Sequence, residues 1–467
     1  MPTVVYADAP ETILREEADP SSRAVNHVLL GTVLDVDEEA GDWLRVVPRR
    51  AGRRGWVHKD AVSVHPALKI FFVDVGQGDG ALVEAPQGTL VVDAGPGDGF
   101  HRFIRHRYKP IFDRGEGIDL AGAIMSHPDL DHYGGILPLL EDEDIRIGTL
   151  YHNGICRCPE GVEKSATQLE AAGLLSRAPA VHPKAWLMTP LFDTLADAEA
   201  LAPKMSPAFK RFWAAARKAH QQGRLQSVRR LAKDAVVAGF APNAPDRQLR
   251  IRVLGPVLHA PAPQPALLCF DEPASRESRK PTGPRFGFSH SHTRNGHSIV
   301  LRLELGDHSI LLGGDLNIPA ERHLMAAHPV GTGGADPLLV TVAKACHHGS
   351  SDFSPAYMKR VSPFASVISS GDNASFDHPM ADALGAAAHF TRGDLPLVFS
   401  TELGRAYQLE IAPGAATSAV EIHYGLVNLR SNGKTLVMAQ MKESHAGRAD
   451  VWDSFTVPWE GKFWHDA

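Results

Sequence analysis

Short runs of alternating apolar and polar residues fill the first part of the chain. Residues 4–7, 31–36, 42–47 and 55–58 alternate in this way, and Gly and Asp stand between the runs. Alternation with a period of two is typical of strands with one buried face, while Gly and Asp favour the turns that join them. The pattern therefore predicts a small all-β barrel over residues 1–65.

The pattern changes at residue 68. Residues 69–75 and 90–93 are continuous apolar runs, as expected for strands that are covered on both faces. Strand and helix signals then alternate through residues 136–150 and again through residues 298–370. This alternation indicates an α/β architecture.

A segment rich in Ala, Arg and Pro interrupts this alternation between about residues 155 and 290. Residues 205–233 within it are predicted to be helical, so we interpret the segment as a helical insertion. A second domain is therefore predicted over residues 68–425, and residues 426–467 are predicted to form a C-terminal extension that packs on it.

Composition sets limits on where and with what the protein works. The chain has 467 residues, 43% of them hydrophobic, and no apolar run is long enough to predict a membrane span. Four cysteines are too few for a disulfide framework, and the first residues lack the features of a secretory signal, so we expect a cytoplasmic location. The net charge of −6 gives no overall attraction to nucleic acid.

One local stretch departs from this balance. Residues 204–233 carry nine Lys or Arg and no acidic residue. Such a run is typical of a solvated helical surface, and the alternative is a positive surface that contacts phosphate groups.

Side chains that can bind metal ions follow five of the predicted strands. They are Asp93, the group His127, Asp129, Asp131 and His132, then Asp315, the pair His347 and His348, and finally His378. Two buried carboxylates as close as Asp129 and Asp131 would repel each other and lose their hydration unless a cation lay between them. The five strand ends together therefore predict a metal-dependent hydrolase.

Several motifs carry a resemblance to a known family. They are D-V-G-Q-G-D (74–79), V-D-A-G (92–95), S-H-P-D-L-D-H-Y-G-G (126–135), G-G-D (313–315), H-H-G-S (347–350) and H-P (378–379). With them the chain resembles the metallo-β-lactamase superfamily, and within it the soluble hydrolase domain of ComEC-type competence proteins. The N-terminal segment, with a Gly-Thr strand, W-x-x-V at 43–46 and G-W-V at 55–57, resembles the bacterial SH3-like domain. That domain would either bind a peptide, protein or cell-wall ligand, or only pack on the enzyme.

The resemblance implies a fold and a set of ligands. The fold would be a four-layer αβ/βα sandwich with a helical insertion, preceded by the SH3-like barrel. Two divalent ions would bind at the strand ends: His127 and Asp129 at site one, Asp131 and His132 at site two, with Asp315 as the bridge. His378 would complete site two, and His297 is a candidate either for the third ligand of site one or for contact with substrate.

The remaining roles follow from the same resemblance. Asp131, with His348 or its neighbour His347, would carry the proton transfers, and Asp74 and Asp79 would either accept hydrogen bonds from ligand histidines or cap the glycine turn. Where the superfamily usually has histidine this chain has Asp129, a harder ligand that favours manganese, magnesium or iron, although zinc also accepts it.

The predicted reaction is hydrolysis by a hydroxide that bridges the two ions, most simply of a phosphodiester such as DNA or RNA. Two alternatives stay open on the sequence alone. One is a carbon-ester, lactone or thioester hydrolase on the same scaffold, and the other is a non-catalytic binding or sensor module.

Overall fold

The computed structural model describes most of the chain. The described residues are 3–49, 52–260, 262, 264–271, 286–331, 335–371, 377–393, 396–401, 426–441 and 452–457.

The N-terminal residues form an all-β unit. Its strands are β1 (Val4–Ala7), β2 (Glu11–Arg15), β3 (Ala24–Leu29), β4 (Val33–Ala40), β5 (Trp43–Pro48), β6 (Gly55–His58) and β7 (Val62–Ser63). They pair antiparallel in the order β3-β2-β6-β5-β4-β1-β7. Every second side chain of β5 is buried, and Leu14, Leu34 and Val46 form the centre of a separate apolar core. The predicted all-β N-terminal unit is confirmed.

The rest of the described chain alternates strands and helices. Its strands are β8 (Leu68–Phe72), β9 (Gly80–Ala85), β10 (Gly88–Ala94), β11 (Ile118–Ile124), β12 (Ile145–His152), β13 (Leu175–Arg177), β14 (Trp186–Met188), β15 (Leu225–Arg230), β16 (Arg250–Gly255), β17 (Leu267–Leu268), β18 (Val300–Leu305), β19 (His308–Leu312), β20 (Val342–Lys344), β21 (Ala365–Ile368), β22 (Leu397–Ser400), β23 (Val427–Ser431), β24 (Leu436–Met441) and β25 (Trp452–Thr456). Its helices are α1 (Gly99–Arg107), α2 (Lys109–Phe112), α3 (Leu130–Tyr133), α4 (Ile136–Glu141), α5 (Glu160–Glu163), α6 (Ala166–Ala171), α7 (Leu195–Leu201), α8 (Pro207–Gln221), α9 (His290–Gly296), α10 (Ile318–Ala327), α11 (Pro355–Val361) and α12 (Ala381–His389). Short 3-10 turns cover Lys59–Ala61, Ala202–Lys204 and Cys346–Gly349.

Two large sheets organise this part of the molecule. One has nine strands in the order β15-β12-β11-β10-β9-β8-β23-β24-β25, and the other has six in the order β16-β18-β19-β20-β21-β22. The runs β10-β11-β12-β15 and β19-β20-β21-β22 are parallel. Carboxyl ends of parallel strands meet at one edge of a sheet, which is where α/β folds place their sites.

The two sheets face each other across one apolar core. Side chains such as Ile70 and Leu90 of the first sheet pack there with Leu301 and Ile310 of the second. The outer face of the nine-stranded sheet is covered by α1, α4 and α8, and the outer face of the six-stranded sheet by α10 and α11. The order of layers is therefore helix, sheet, sheet, helix, which confirms the predicted four-layer sandwich.

The segment predicted as a helical insertion is more mixed than expected. Its longest helix, α8, ends at Gln221 instead of continuing to Lys233, because Gly223 takes a φ of +72° and turns the chain. Residues 225–230 then form β15, the edge strand of the nine-stranded sheet, in parallel register with β12. Strands β13, β14 and β17 form a small sheet of their own. The prediction of helix over residues 205–233 is therefore wrong for its second half.

The N-terminal unit is anchored to the large domain through β23. Arg430 donates hydrogen bonds to the carbonyl oxygens of Leu29 (3.3 Å) and Leu30 (2.8 Å) and to Oγ1 of Thr32 (3.1 Å). Only 8% of Arg430 is exposed, so these charge-assisted bonds form in a dry interface. Strands β23, β24 and β25 extend the nine-stranded sheet beyond β8.

Candidate metal centre

Asp93 organises the loop that carries the histidine motif. It lies near the end of β10, and its φ of +52° is a strained backbone conformation for a non-glycine residue. Its Oδ1 accepts the Ser126 amide at 2.7 Å, and its Oδ2 lies 2.9 Å from Nδ1 of His132. The carboxylate therefore fixes the start of the loop after β11 and orients the ring of His132, so that Nε2 is the nitrogen left for a ligand.

Three side chains from different strand ends, with Asp131, meet at one point. Nε2 of His132 lies 3.3 Å from Oδ1 of Asp315, and Nε2 of His348 lies 3.4 Å from Oδ2 of the same carboxylate. Oδ2 of Asp131 lies 3.4 Å from Nε2 of His348, and 33% of the Asp131 side chain is exposed. Ligands that are each ~2.1 Å from a tetrahedral ion lie about 3.4 Å from one another. The spacing therefore fits one divalent ion.

The atoms that face this point need a cation. Nε2 of His132, Nε2 of His348 and Oδ1 of Asp315 are buried, and within the described chain they have no hydrogen-bond partner. Burial alone would lower the pKa of both histidines, but the Asp315 carboxylate holds the pKa of each well above its usual range. Unpartnered buried polar atoms are costly, and this group of imidazole and carboxylate atoms could hold a metal ion.

Asp79 and Lys344 lie behind the ligand side chains. Asp79 belongs with His132, Asp315 and His348 to a group whose candidate ligand atoms all lie within 4.8 Å of one another. Its Oδ1 is 3.1 Å from Nδ1 of His348, on the side of the ring away from the centre, and its Oδ2 forms an ion pair with Lys344. Burial would raise the pKa of Asp79, but the Lys344 ammonium lowers it to about 2. The carbonyl oxygen of Ser369 lies 3.1 Å from the same Nδ1 and orients the ring of His348. Asp79 is a charged neighbour behind the ring, and both Asp79 and Asp131 are candidates for the carboxylate ligand beside it.

Asp74 takes the other of the two roles expected for it. Its Oδ1 accepts the amide of Gly76 at 3.0 Å, so it caps the glycine turn 76–80. The turn is tight because Gly76 and Gly78 both have positive φ, and a Cβ on Gly78 would lie 2.4 Å from the carbonyl oxygen of Asp131. The glycine turn thus supports the back of the histidine motif.

His127 and Asp129 do not assemble as a second complete site. Nε2 of His127 lies 3.7 Å from Oδ2 of Asp129 and 3.9 Å from Oδ2 of Asp315, and it is buried without a hydrogen-bond partner in the described chain. Asp129, however, forms a two-point ion pair with Arg294, in which Nη2 donates to Oδ2 at 2.9 Å. Burial would raise the pKa of Asp129, but the guanidinium holds it far below its usual range.

The expectation for His297 is corrected by its contacts. Its ring is buried against Phe270, with centroids 4.5 Å apart, and Nε2 donates to the carbonyl oxygen of Leu268 at 2.8 Å. Burial lowers the pKa of His297 to about 3, so the ring is a neutral core residue. His297 lies just after the end of α9, and its Nε2, a nitrogen that could have bound a metal ion, donates instead to the backbone of β17.

His378 lies near the centre, and its role as a ligand of site two stays a prediction. Its Nδ1 lies 3.2 Å from the side-chain nitrogen Nε2 of Gln77, and its ring centroid is 6.2 Å from that of His348. His348 is a further candidate for a ligand of that site. The H-H-G-S motif was the sequence signal for His348. Both histidines of the motif have positive φ (48° and 54°), and their rings point in different directions.

Sequence reasoning missed a charged network beside the centre. Glu163 on α5 is 1% exposed; its Oε1 accepts the Cys158 amide at 2.6 Å, and its Oε2 pairs with Nη1 of Arg294 at 3.1 Å. Arg157 pairs with Glu163 and lies 3.9 Å from Asp129, and His290 lies 2.8 Å from Glu163. These residues come from the insertion and from α9, where no periodic pattern or motif marks them.

Comparison with known proteins agrees with both parts of the fold. A family model described as a bacterial SH3 domain matches residues 10–63, and one described as the metallo-beta-lactamase superfamily matches residues 73–179. The second match includes the histidine motif and ends before Asp315 and His348. No curated protein matches the chain, and no described helix has the length and apolar character that crossing a membrane requires. The chain therefore carries a segment that matches the bacterial SH3 domain, followed by one that matches the metallo-beta-lactamase superfamily, and a group of Asp and His side chains that could hold a metal ion.

Proposed function

We propose that the protein is a metal-dependent phosphodiesterase whose substrates include nucleic acid. The observation that carries the hydrolase part is the convergence of buried, unpartnered ligand atoms from His132, His348 and Asp315. The metallo-beta-lactamase superfamily consists mostly of metal-dependent hydrolases. Asp131, His132, Asp315 and His348 would hold the ion, with zinc and manganese as the candidates because the set combines imidazole and carboxylate ligands.

The ion would supply Lewis-acid polarisation of the attacked group and a lowered pKa for water. Asp131 is the ligand-set carboxylate that reaches solvent, so it is placed to orient the attacking water and accept its proton. His347 has 29% of its side chain exposed and its Nε2 is 3.8 Å from Oδ2 of Asp315. Burial lowers the pKa of His347, so a neutral ring would present an N–H to the departing oxygen.

The sequence alone left open whether His347 or His348 donates the proton to the leaving group. His348 is 1% exposed and its Nδ1 is engaged by Asp79 and by the carbonyl of Ser369. Its neighbour His347 faces the open side of the centre. We therefore assign metal binding to His348 and contact with the leaving group to His347.

Three features support a phosphodiester over a carbon ester. The sequence motifs resemble those of ComEC-type hydrolase domains, the guanidinium groups of Arg157 and Arg294 lie beside the centre, and α8 presents exposed basic residues such as Lys210 and Lys218. Guanidinium groups match phosphate geometry. Some basic residues of α8 are paired with acids, as Arg211 is with Glu141 at 3.3 Å, so the positive surface is local.

The test is hydrolysis of bis-p-nitrophenyl phosphate and of single-stranded DNA with Mn²⁺ or Zn²⁺, beside a panel of lactones and thioesters. Asp315→Ala should reduce turnover by more than about 100-fold, since a metal ion supplies several kcal/mol of transition-state stabilisation. Asp119→Ala removes an aspartate of β11 whose side chain is 74% exposed and is the matched control. Turnover of acyl substrates alone would refute the phosphodiesterase proposal, and metal-loaded protein without any turnover would refute catalysis.

We further propose that residues 1–65 act as a separate binding module for a peptide or protein, joined to a hydrolase unit that begins at residue 68. The interface through Arg430 would hold this module at a fixed position on the hydrolase. This role is measured by pull-down of synthetic peptides with the full chain and with a chain that lacks residues 1–65.

A further inference from the structure

We propose that Arg294 takes the place of a second metal ion, so that the centre binds a single divalent ion. The inference deepens the proposed function and rests on it, since it assumes that the group Asp131, His132, Asp315 and His348 binds a metal. It differs from the two-ion site that the sequence motifs imply.

The carboxylate of Asp129 faces the guanidinium of Arg294 with both of its oxygens. Oδ2, the oxygen nearest Nε2 of His127, accepts Nη2 of Arg294 at 2.9 Å. With the Asn295 amide oriented so that both of its atoms have partners, its nitrogen donates to the same oxygen at 3.1 Å. Oδ1 is paired with Nε of Arg294 and lies 3.9 Å from Arg157. An ion bound by Asp129 would therefore have to displace the guanidinium of Arg294 from this carboxylate.

Arg294 is itself held in place. Its Nη1 pairs with Glu163 at 3.1 Å, and Glu163 is fixed by the Cys158 amide. The side chain of Arg294 is 8% exposed and that of Glu163 is 2% exposed. Moving the guanidinium away would leave the half-buried carboxylate of Asp129 and the buried carboxylate of Glu163 without this partner, and uncompensated buried charges are strongly disfavoured.

The balance of charge at the centre also favours a single metal ion. Lys344 compensates Asp79, and Arg294 compensates Asp129. Asp131 and Asp315 remain as the two carboxylates that face the metal position, and together their charge equals that of one divalent ion. A second ion at His127 would lie beside the guanidinium of Arg294, where like charges repel.

His127 keeps a use in this arrangement. Its Nδ1 lies 3.2 Å from Oγ of Ser298, and its Nε2 faces Asp129 and Asp315. The ring is fully buried, so its place is beside the two carboxylates rather than on the substrate side.

The experiment measures how many ions the full-length chain binds. Protein stripped with a chelator is titrated with Mn²⁺ and separately with Zn²⁺ by calorimetry, and metal content is measured by mass spectrometry after gel filtration. One ion per chain is expected for the unaltered protein and also for Asp129→Asn. His132→Ala should lose the ion.

The variant Arg294→Met tests whether removal of the guanidinium creates a second metal site. With the guanidinium removed, Asp129 and His127 become available, and a second ion is expected. Arg360→Met removes another arginine that pairs at two points with a carboxylate, that of Asp336, and is the matched control; it should still bind one ion. If Arg294→Met does not fold, the count for the unaltered chain and for Asp129→Asn decides the question.

The failures are distinguishable. Two ions in the unaltered chain, with one lost in Asp129→Asn, would overturn the replacement by Arg294 and leave the proposed hydrolase intact. Absence of binding for every divalent ion tested would overturn the metal centre itself and the inference with it.

Discussion

Replacing Lys344 by methionine should destabilise the large domain through Asp79. Lys344 is 5% exposed and Asp79 is 6% exposed, so their ion pair forms away from water. Methionine keeps most of the stem volume and removes the ammonium. The Asp79 carboxylate then stays buried with His348 as its remaining close cationic neighbour.

The size of the effect follows from the burial of both partners. Breaking a buried ion pair from one side typically costs ~3–5 kcal/mol, because the other charge is left uncompensated. Lys344 also lies 3.4 Å from the carbonyl oxygen of Gly314, a weak contact that adds little. We therefore expect Lys344→Met to lose about 3 kcal/mol or more of the free energy of unfolding.

The double variant with Asp79→Asn separates the ion pair from other effects. Asparagine keeps an acceptor for Nδ1 of His348 and carries no charge, so the double variant should be more stable than Lys344→Met alone. Urea unfolding is followed by circular dichroism at neutral pH with a chelator present, which removes the contribution of bound metal. If the double variant loses the full sum of the two single losses, the two charges are not coupled and the reasoning is wrong.

Three further outcomes are expected. Burial lowers the pKa of Lys69 to about 8 from 10.5, so the unfolded chain binds more protons than the folded chain between pH 8 and 10.5. The free energy of unfolding should therefore rise across that window by roughly 3 kcal/mol. Lys69→Met should abolish this rise in denaturation curves measured at several pH values. Arg430→Met should release the N-terminal domain and speed proteolytic cleavage near residues 64–67, whereas Arg45→Met, in an exposed ion pair, should not. Metal at 100 times its Kd should add about 2.7 kcal/mol of stability; a chelator should reverse the shift in Tm, and Asp315→Ala should show none.

The fold was accessible from the sequence because its signals are local. Continuous apolar runs before Asp93, Asp315 and His347 predicted strands covered on both faces, and the structure has strands there. The error over residues 225–230 also has a local origin: the buried side chains of β15, Leu225 and Val228, are three positions apart, so no alternation with a period of two marks the strand. A strand at a sheet edge needs only those two apolar positions.

The centre could be predicted only in part, since its contacts depend on tertiary structure. Asp131 and His132 stand beside each other in the motif, so their joint use was visible. The pairing of Asp129 with Arg294 joins the histidine motif to α9 across the sandwich, and no spacing rule connects them. For His347 and His348, the sequence cannot tell which ring is buried, because that depends on two left-handed backbone positions.

The pairing of β8 with β23 has a consequence for the order in which the protein can assemble. One edge of β8 pairs with the neighbouring strand β9, but on the other edge Ile70 stands opposite Leu429, so that edge finds its partner only after nearly all the described chain has been made. Until then β8 presents an open sheet edge, the kind of surface that invites aggregation, and pairing so distant in sequence is slow to form. β23 also brings Arg430 to Leu29 and Leu30. A chain cut before residue 427 would therefore expose a sheet edge and detach the N-terminal domain in a single event.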